Sequence, residues 1–378
     1  MPDVDPIPLS RLTTLRTGGA PERMIDAHTT DELVAALRDV WASGDEWLVL
    51  GGGSNLFVGD DPFEGTVVRV LTNGIERMPS PIPGRARIRV QAGHDWDAVV
   101  AYAVAEGLGG IEAMSGIPGT VGAAPVQNIG AYGQEIVQTL SEVELLDEST
   151  GEVSLVPAPE LGLGFRTSVL KHHYGSVPAR RAVILSVTLD LPEVGSGARR
   201  IAGDQLRTAL RLAPDDVVTL SWVRERILET RRSKGMVLDA DDPDTYSAGS
   251  FFQNAVVSAS FARTLPEECP RWPVHPDLDP VLVIPLESFD GYVPASKPVE
   301  SEVKVSAGWL IEHAGVRKGF KLPRSRAGLS TKHALALTNR GHATAAELAE
   351  LARFIQGRVQ SEFGLVLQPE PVLVNVEL

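Results

Sequence analysis

The sequence has little that would support a disulfide-bonded or metal-binding protein. Its 378 residues include one cysteine, Cys269, so no internal disulfide can form and no thiol cluster is available for zinc or an iron–sulfur centre. The eight histidines show neither an H-E-x-x-H motif nor another metal-ligand spacing. We therefore expect no metal site and a reducing compartment.

Positive charge is also scarce, with 35 Lys and Arg against 49 Asp and Glu and a formal net charge of −14. This balance argues against a general binder of nucleic acid or of anionic membranes. The acidic opening, residues 1–6, lacks the basic start and apolar stretch of a signal peptide. Residues 113–134 carry no charge, but their glycines and prolines make a membrane helix a poor interpretation. We expect a cytoplasmic monomer without nucleic-acid or membrane partners.

Length and composition predict a globular protein of two or three domains, since 43% of the residues are hydrophobic and 22% are charged. Capping signals and apolar periodicity predict helices near residues 29–41, 95–106, 221–232 and 344–363. A short apolar run predicts a buried strand at 47–50, and the apolar tail predicts strands within 365–378. Residues 192–203 and 265–280 have the composition of loops.

Two glycine-rich segments are the first candidates for a binding site. Gly51, Gly52 and Gly53 precede Ser54 and Asn55, and consecutive glycines let main-chain N–H groups converge on an anion such as a pyrophosphate. Residues 115–133 follow G-x-x-G-x-x-G, which fits neither the dinucleotide-binding G-x-G-x-x-G nor a P-loop. An uncharged segment of small residues is typical of a backbone wrapped around a flat, hydrogen-bonding cofactor. The alternatives are a structural turn and a connecting loop.

Candidates for chemistry are isolated polar groups in neutral surroundings. Ser250 follows Gly249 in S-A-G-S-F-F-Q-N, where its hydroxyl could transfer a proton inside an apolar pocket. Arg166 suits a carboxylate ligand, and Glu370 precedes an apolar strand. Lys234 suits a phosphate at the end of a predicted helix. Taken singly, each residue could equally be a turn serine or a surface charge.

Six segments, in their order along the chain, resemble the UDP-N-acetylenolpyruvoylglucosamine reductase (UDP-N-acetylmuramate dehydrogenase) family, flavoenzymes of peptidoglycan precursor synthesis. They are L-G-G-G-S-N-L at 50–56, residues 115–133, G-F-R-T-S at 164–168, A-G-S-F-F-Q-N at 248–254, A-G-W-L-I-E at 307–312 and Q-P-E at 368–370. The resemblance extends from about residue 15 to residue 374. Together the six motifs are far more specific than any one of them.

The resemblance implies an α+β fold with a vanillyl-alcohol-oxidase (PCMH)-type FAD-binding fold followed by an α+β substrate-binding domain. The implied limits are 1–70 for a first FAD-binding subdomain, to which 360–378 return, 71–220 for a second subdomain, and 221–359 for the substrate domain. FAD would be held without a covalent bond, since neither glycine segment contains His or Cys. The implied FAD-binding residues are Gly51, Gly52, Gly53, Ser54, Asn55, Ser115, Gly116, Gly119, Thr120, Gly122, Ala123, Asn128, Gly130 and Tyr132.

The resemblance also implies a reaction. NADPH reduces the flavin, and hydride then passes from flavin N5 to the enolpyruvyl group of the UDP-sugar, giving UDP-N-acetylmuramate. Arg166 and Glu370 would stabilise the enolate-like state, and Ser250 would deliver the proton. Lys234 and Asn254 would lie near the nucleotide-sugar part of the substrate. A flavin oxidase of the same cofactor fold and a non-catalytic flavin or nucleotide-sugar sensor are the alternatives.

One stretch departs from the family pattern. Some members close the site with a tyrosine-bearing loop, whereas the comparable residues 200–206, around Ala202, contain no aromatic side chain. We therefore assign no lid residue. The sequence also leaves open whether His313 contacts the substrate.

Overall fold

The structure is a computed structural model that describes residues 3–171, 179–274 and 302–378. Its helices are α1 (Thr30–Ser43), α2 (Trp96–Ala105), α3 (Asp204–Leu210), α4 (Leu220–Ser233), α5 (Ala259–Ala262), α6 (Ala307–His313) and α7 (Ala345–Phe363). Its strands are β1 (Asp3–Val4), β2 (Pro21–Ala27), β3 (Trp47–Leu50), β4 (Leu56–Val58), β5 (Phe63–Val70), β6 (Ile75–Met78), β7 (Arg85–Gln91), β8 (Gly130–Ala131), β9 (Gln134–Glu135), β10 (Leu140–Asp147), β11 (Val153–Pro157), β12 (Ala182–Pro192), β13 (Arg199–Arg200), β14 (Val217–Val218), β15 (Ala255–Ser258), β16 (Arg271–Pro273), β17 (Glu302–Val305), β18 (Ala327–Leu329), β19 (Leu337–Asn339) and β20 (Val372–Val374).

The four predicted helices are confirmed as α1, α2, α4 and α7, and the capping signals act as expected. The Thr344 hydroxyl accepts a hydrogen bond from the main-chain N–H of Glu347, whose carboxylate accepts one from the Thr344 N–H. Gly364 ends α7 with φ of 70°, a conformation that a residue without Cβ adopts at low cost. Local side-chain chemistry therefore sets both ends of the longest helix.

The N-terminal sheet has the order β1-β2-β5-β3, with β2 and β3 parallel to β5. The connection from β2 to β3 runs through α1, whose buried face includes Leu33, Leu37 and Val40. The predicted strand at 47–50 is confirmed as β3. Beyond it the chain turns through the glycines at 51–53 into β4, which pairs in parallel with β20 from the tail. This pairing brings the end of the chain back beside the first glycine segment.

The second sheet is antiparallel, in the order β11-β10-β12-β7-β6. β12 lies between β10 and β7 and is buried along most of its length, which explains its nearly continuous apolar sequence. The strands share one core with α1 and α2, in which Trp96 is among the largest buried side chains. The second glycine-rich segment, residues 115–133, packs on this core through Val121 and Ala124.

A second core is formed by α6, α7, the hairpin β18-β19 and the strands β15 and β17, which pair in the sheet β15-β17-β16, and it also includes Leu15 and Phe57 from the N-terminal part. The loop prediction for 265–280 is wrong where Arg271–Pro273 form β16, because β17 supplies a pairing partner that composition does not reveal. Residues 275–280 of that prediction lie outside the described residues. Likewise Arg199 and Arg200 within 192–203 pair with β14.

The arrangement of helices and largely antiparallel sheets confirms the α+β class. Over the ranges that the structure describes, no helix is both long and apolar enough to cross a membrane. The domain limits at 70, 220 and 359 stay a prediction.

Candidate active site

A cavity of about 540 Å³ lies where the two glycine segments, the Arg166 loop, the Ser250 turn and the chain tail meet. Its volume is within the range usual for small-molecule and cofactor sites. Thirteen of the predicted site residues line it: Gly51, Gly52, Gly53, Ser54, Asn55, Gly119, Thr120, Gly122, Ala123, Gly130, Arg166, Ser250 and Glu370. Residues predicted from five separate stretches of sequence therefore surround one space.

The two glycine segments lie directly against each other. A Cβ atom on Gly51 would come within 2.4 Å of Thr120 Oγ1, and one on Gly52 within 2.7 Å of the Cα of Gly119. The Ser54 hydroxyl crosses between the segments and donates to the Pro118 carbonyl at 2.9 Å. Neither segment could approach the other so closely with larger residues at these positions, so the wall of the cavity is largely main chain.

Main-chain pairing brings Ser250 to Glu370. The N–H of Glu370 donates to the Phe251 carbonyl at 2.8 Å, and the N–H of Gln253 donates to the Gln368 carbonyl at 3.0 Å. Gly249, with φ of 76°, allows the sharp turn that precedes Ser250. Since the tail and the 251–253 segment run antiparallel here, the hydroxyl and the carboxylate enter the cavity from adjoining positions.

Arg166 reaches the cavity from a loop in which it adopts a positive φ of 55°. Its terminal nitrogens donate to the carbonyls of Asn128 and Gly130, each at 3.2 Å. Its Nε lies 3.0 Å from Oε1 of Glu370, which is a close ion pair, although the N–H direction leaves Nε without an aligned hydrogen bond. The side chains are 21% and 13% exposed, so solvent screens the pair only in part. Arg166 and Glu370 thus present opposite charges at one edge of the cavity.

Four of the predicted FAD-binding residues do not line the cavity, and two of these, Ser115 and Asn128, make buried contacts inside the fold. The Ser115 side chain is buried and donates to the Glu112 carbonyl at 2.7 Å. The Asn128 amide is buried and donates to Glu135 at 2.8 Å and to the Gly164 carbonyl at 3.0 Å. Asn128 therefore connects the second glycine segment to the loop that carries Arg166. Their predicted contact with a cofactor stays a prediction.

Gly116, Tyr132, Lys234 and Asn254 also lie outside the cavity lining. The Gly116 N–H donates to the Asp97 carboxylate at 2.6 Å. Lys234 is exposed, with its Nζ 5.7 Å from the centre of the Tyr132 ring. Asn254 accepts a hydrogen bond from the Ala307 N–H at the start of α6. The predicted contacts of these four residues with cofactor or substrate stay predictions.

Arg231, which the sequence patterns did not single out, lines the cavity from the last turn of α4. Its guanidinium is buried, one Nη donates to the Met236 carbonyl at 2.9 Å, and its Nε has no hydrogen-bond partner among the described residues. Burial lowers the pKa of Arg231. A signal was present, because residue 231 follows Val223 and Ile227 at the four-residue spacing of the buried face of α4.

Lys171 and Gln127 were also missed as site residues. Lys171 is 7% exposed, and its Nζ donates to Oε1 of Gln127 at 2.7 Å and to the Glu370 carbonyl at 3.0 Å. Burial lowers the pKa of Lys171 to about 8. Gln127 lines the cavity beside Asn55, from whose amide it accepts a hydrogen bond at 2.9 Å. No pattern along the chain marks either residue, since each depends on contacts between distant segments.

The stretch without an aromatic lid lies beside the second glycine segment. Ala202 and Gly203 are exposed and lead into α3, and Gln205 lies close enough to Gly133 that a Cβ there would meet its side chain at 3.3 Å. His313 stacks on Trp309 with the ring centres 3.7 Å apart and is exposed outside the cavity lining. Within the described residues, no cluster of three or more His, Cys, Asp or Glu side chains could hold a metal ion.

The cavity suits a cofactor such as FAD. Glycines without side chains form one wall, and Arg231, whose buried Nε has no hydrogen-bond partner among the described residues, lines the cavity as a cation. The sequence from residues 21 to 156 matches a model of the FAD binding domain, and residues 241–374 match the C-terminal domain of UDP-N-acetylenolpyruvoylglucosamine reductase.

The chain is 52% identical to the UDP-N-acetylenolpyruvoylglucosamine reductase of Leifsonia xyli subsp. xyli, over 99% of this chain and 100% of that one. It is 47% identical to the enzyme of that name from Nocardia farcinica, over 98% of this chain and 89% of the other. The chain belongs to the UDP-N-acetylenolpyruvoylglucosamine reductase family. The resemblance identified from the six motifs is confirmed.

A solved structure from the same family shares the fold. The crystal structure of UDP-N-acetylenolpyruvylglucosamine reductase from Thermus caldophilus superposes with a TM-score of 0.60 at 24% identity, covering 98% of each chain. The predicted fold class, an FAD-binding fold followed by an α+β domain, is confirmed. The family's FAD-binding domain therefore contributes the glycine-rich walls of the cavity, and its C-terminal domain contributes Ser250 and Glu370.

Proposed function

We propose that this protein is an NADPH-dependent FAD oxidoreductase that reduces the enolpyruvyl group of UDP-N-acetylenolpyruvoylglucosamine to UDP-N-acetylmuramate in peptidoglycan precursor synthesis. We further propose that it acts in the cytoplasm, with FAD-binding subdomains at 1–70, to which 360–378 return, and 71–220, and a substrate domain at 221–359. Family membership supports the reaction. The single observation that carries the proposal is that Arg166, Ser250 and Glu370, distant in sequence, line one cavity with the glycine segments.

FAD would lie along the glycine walls without a covalent bond. Main-chain N–H groups near Gly51 and Gly53 suit a pyrophosphate, because they can converge on an anion without interference from side chains. Arg231 supplies a buried cation at the same cavity. Bound FAD supplies hydride transfer, a chemistry that amino-acid side chains do not provide.

Arg166 would bind the carboxylate of the enolpyruvyl group. A guanidinium forms charge-assisted hydrogen bonds with carboxylates, and the carbonyls of Asn128 and Gly130 hold this one in place before substrate arrives. Negative charge grows on that carboxylate as the double bond is reduced, so a cation already oriented towards it lowers the barrier. Glu370 keeps the guanidinium oriented through their ion pair.

Ser250 would deliver the proton to the carbon next to the carboxylate. Ser250 lines the cavity, and its hydroxyl has no hydrogen-bond partner among the described residues. A hydroxyl without a competing acceptor can point its proton at the substrate. Serine is a weak acid, but a carbanion-like acceptor is a strong base, so the transfer is downhill.

Lys234 and Asn254 would bind the nucleotide-sugar part of the substrate. Burial is the main cause that lowers the pKa of His333 to about 4, and the positive charges of Lys234, Lys318 and Arg231 act in the same direction. Such a concentration of positive charge in a protein with a net charge of −14 suits an anionic diphosphate.

Anaerobic spectroscopy of the purified protein tests the proposal. The FAD-loaded protein is expected to absorb as a flavoprotein, to lose that absorption on adding NADPH, and to regain it on adding the enolpyruvyl UDP-sugar. Return of the absorption with oxygen but not with the UDP-sugar would identify a flavin oxidase instead. Failure of NADPH to remove the absorption would favour a non-catalytic sensor.

A further inference from the structure

We propose that Lys171 is a positioning residue of this active site: its ammonium group holds the main chain of Glu370 and the side chain of Gln127, and places a second positive charge beside Arg166. This role rests on the proposed reductase function. It belongs to a residue that neither the six motifs nor the cavity lining identifies.

The contacts of Lys171 join four distant parts of the chain. Its Nζ donates to Gln127 Oε1 at 2.7 Å, and the same oxygen accepts a hydrogen bond from the Asn55 amide at 2.9 Å. Its second contact, at 3.0 Å, is with the carbonyl of Glu370 in the tail. One ammonium group therefore connects the Arg166 loop, both glycine segments and the residue that pairs with Arg166.

Glu370 lies before β20, so its main chain is held by hydrogen bonds to other segments and not by the pairing of that strand. Its N–H is held by the Phe251 carbonyl at 2.8 Å, and its own carbonyl is held by Lys171. The next anchor is the N–H of Val372, which donates to the Asn55 carbonyl at 2.9 Å. Loss of the ammonium group would leave the Glu370 carbonyl without its partner and free the peptide to rotate, which would move the carboxylate away from Arg166.

The charge of Lys171 is buried, since the residue is only 7% exposed. Among the described residues it forms no salt bridge, and its Nζ contacts the Gln127 amide oxygen and the Glu370 carbonyl. The charged groups that act on it are Glu370, which raises its pKa, and Arg166, which lowers it. The cations Lys171 and Arg166 outnumber the single carboxylate of Glu370, so this edge of the cavity has a net positive charge. That charge suits the carboxylate of the substrate and the negative charge that develops on it.

The pH dependence follows from burial. Desolvation lowers the pKa of Lys171 from 10.5 to about 8. The positioning form is the protonated one, so the second positive charge is lost as the pH rises through about 8. The value of kcat/KM for the UDP-sugar, which reports groups of the free enzyme, should therefore fall above that pH.

The test compares Lys171→Met and Lys171→Arg with the FAD-loaded wild-type enzyme, and uses the exposed Lys321→Met as a matched control. Stopped-flow absorbance measures reduction by NADPH and reoxidation by the enolpyruvyl UDP-sugar between pH 6 and pH 10. Lys171→Met is expected to slow reoxidation at pH 7 by about tenfold or more, as loss of a charged hydrogen bond does. Its reduction by NADPH should stay within about threefold of wild type.

The pH profile distinguishes positioning by charge from a purely structural effect. Wild type and Lys321→Met should lose kcat/KM above about pH 8, Lys171→Met should show no such loss, and Lys171→Arg should keep wild-type rates at pH 7 without the decline. Should Lys171→Met not fold, the profile of Lys171→Arg alone decides the matter. If the Lys171 variants keep wild-type rates and the same loss of kcat/KM at high pH, the positioning role alone is overturned. If the UDP-sugar cannot reoxidise the wild-type enzyme, the proposed function is overturned, and this role with it.

Discussion

Replacing Gly52 with alanine tests whether FAD occupies the space between the glycine segments. The new Cβ would lie 2.7 Å from Gly119 Cα and 3.2 Å from the Gly119 carbonyl carbon, whereas ordinary contacts begin at 3.4 Å. Both contacts are with main chain, so no side-chain rotation relieves them, and the segments must separate by about 0.7 Å. In the absence of FAD they can separate into the cavity. Bound FAD would oppose that movement, so the cost should appear in its affinity.

Overpacking of this kind costs about 1–3 kcal/mol, which corresponds to a rise in the Kd for FAD of about 5-fold to 150-fold. Titration of the apoprotein with FAD, followed by flavin fluorescence, measures the change. Gly357→Ala is the matched control, because Gly357 lies in α7 with nothing within 4 Å of a new Cβ. That variant should bind FAD like wild type and gain about 0.5–1 kcal/mol of stability. A folded Gly52→Ala protein with the wild-type Kd would refute the location of the cofactor.

Further changes test individual residues. Ser250→Ala should leave the loss of flavin absorption with NADPH intact but slow reoxidation by the UDP-sugar by about 10²–10⁴-fold, and normal reoxidation in stopped flow would remove Ser250 from the proton-donor role. Arg166→Ala leaves Glu370 without its partner and should both raise KM for the UDP-sugar and slow reoxidation; an unaltered second half-reaction contradicts its role. Thr344→Ala removes the cap of α7 and should lower the free energy of unfolding in urea by about 1 kcal/mol without changing FAD affinity. Burial lowers the pKa of His333 from 6.5 to about 4 in the folded protein. As the pH drops from 6.5 towards 4, the unfolded chain therefore binds a proton on this histidine before the folded protein does, and the free energy of unfolding should fall. His333→Gln should flatten that decline in urea midpoints, and an unchanged decline would assign it to other groups.

Several features follow from the sequence by itself because they depend on neighbouring residues. The capping boxes of α1 and α7 act within one helical turn, so Thr29 and Thr344 predict where those helices begin. Glycines at 51–53 predict a wall of main chain, since only residues without Cβ permit so close an approach. The six ordered motifs were enough to identify the family and the fold class.

Only the tertiary structure decided which groups meet. Ser250 comes to Glu370 through antiparallel pairing of the tail, and β16 exists because β17 lies beside it; both pairings join residues with no local relation in sequence. Lys171 and Arg231 gain their significance from burial against distant segments, which the residue types alone do not reveal. Local chemistry specifies turns, caps and glycine walls, whereas the charges around a cavity depend on contacts that form only when the whole chain packs.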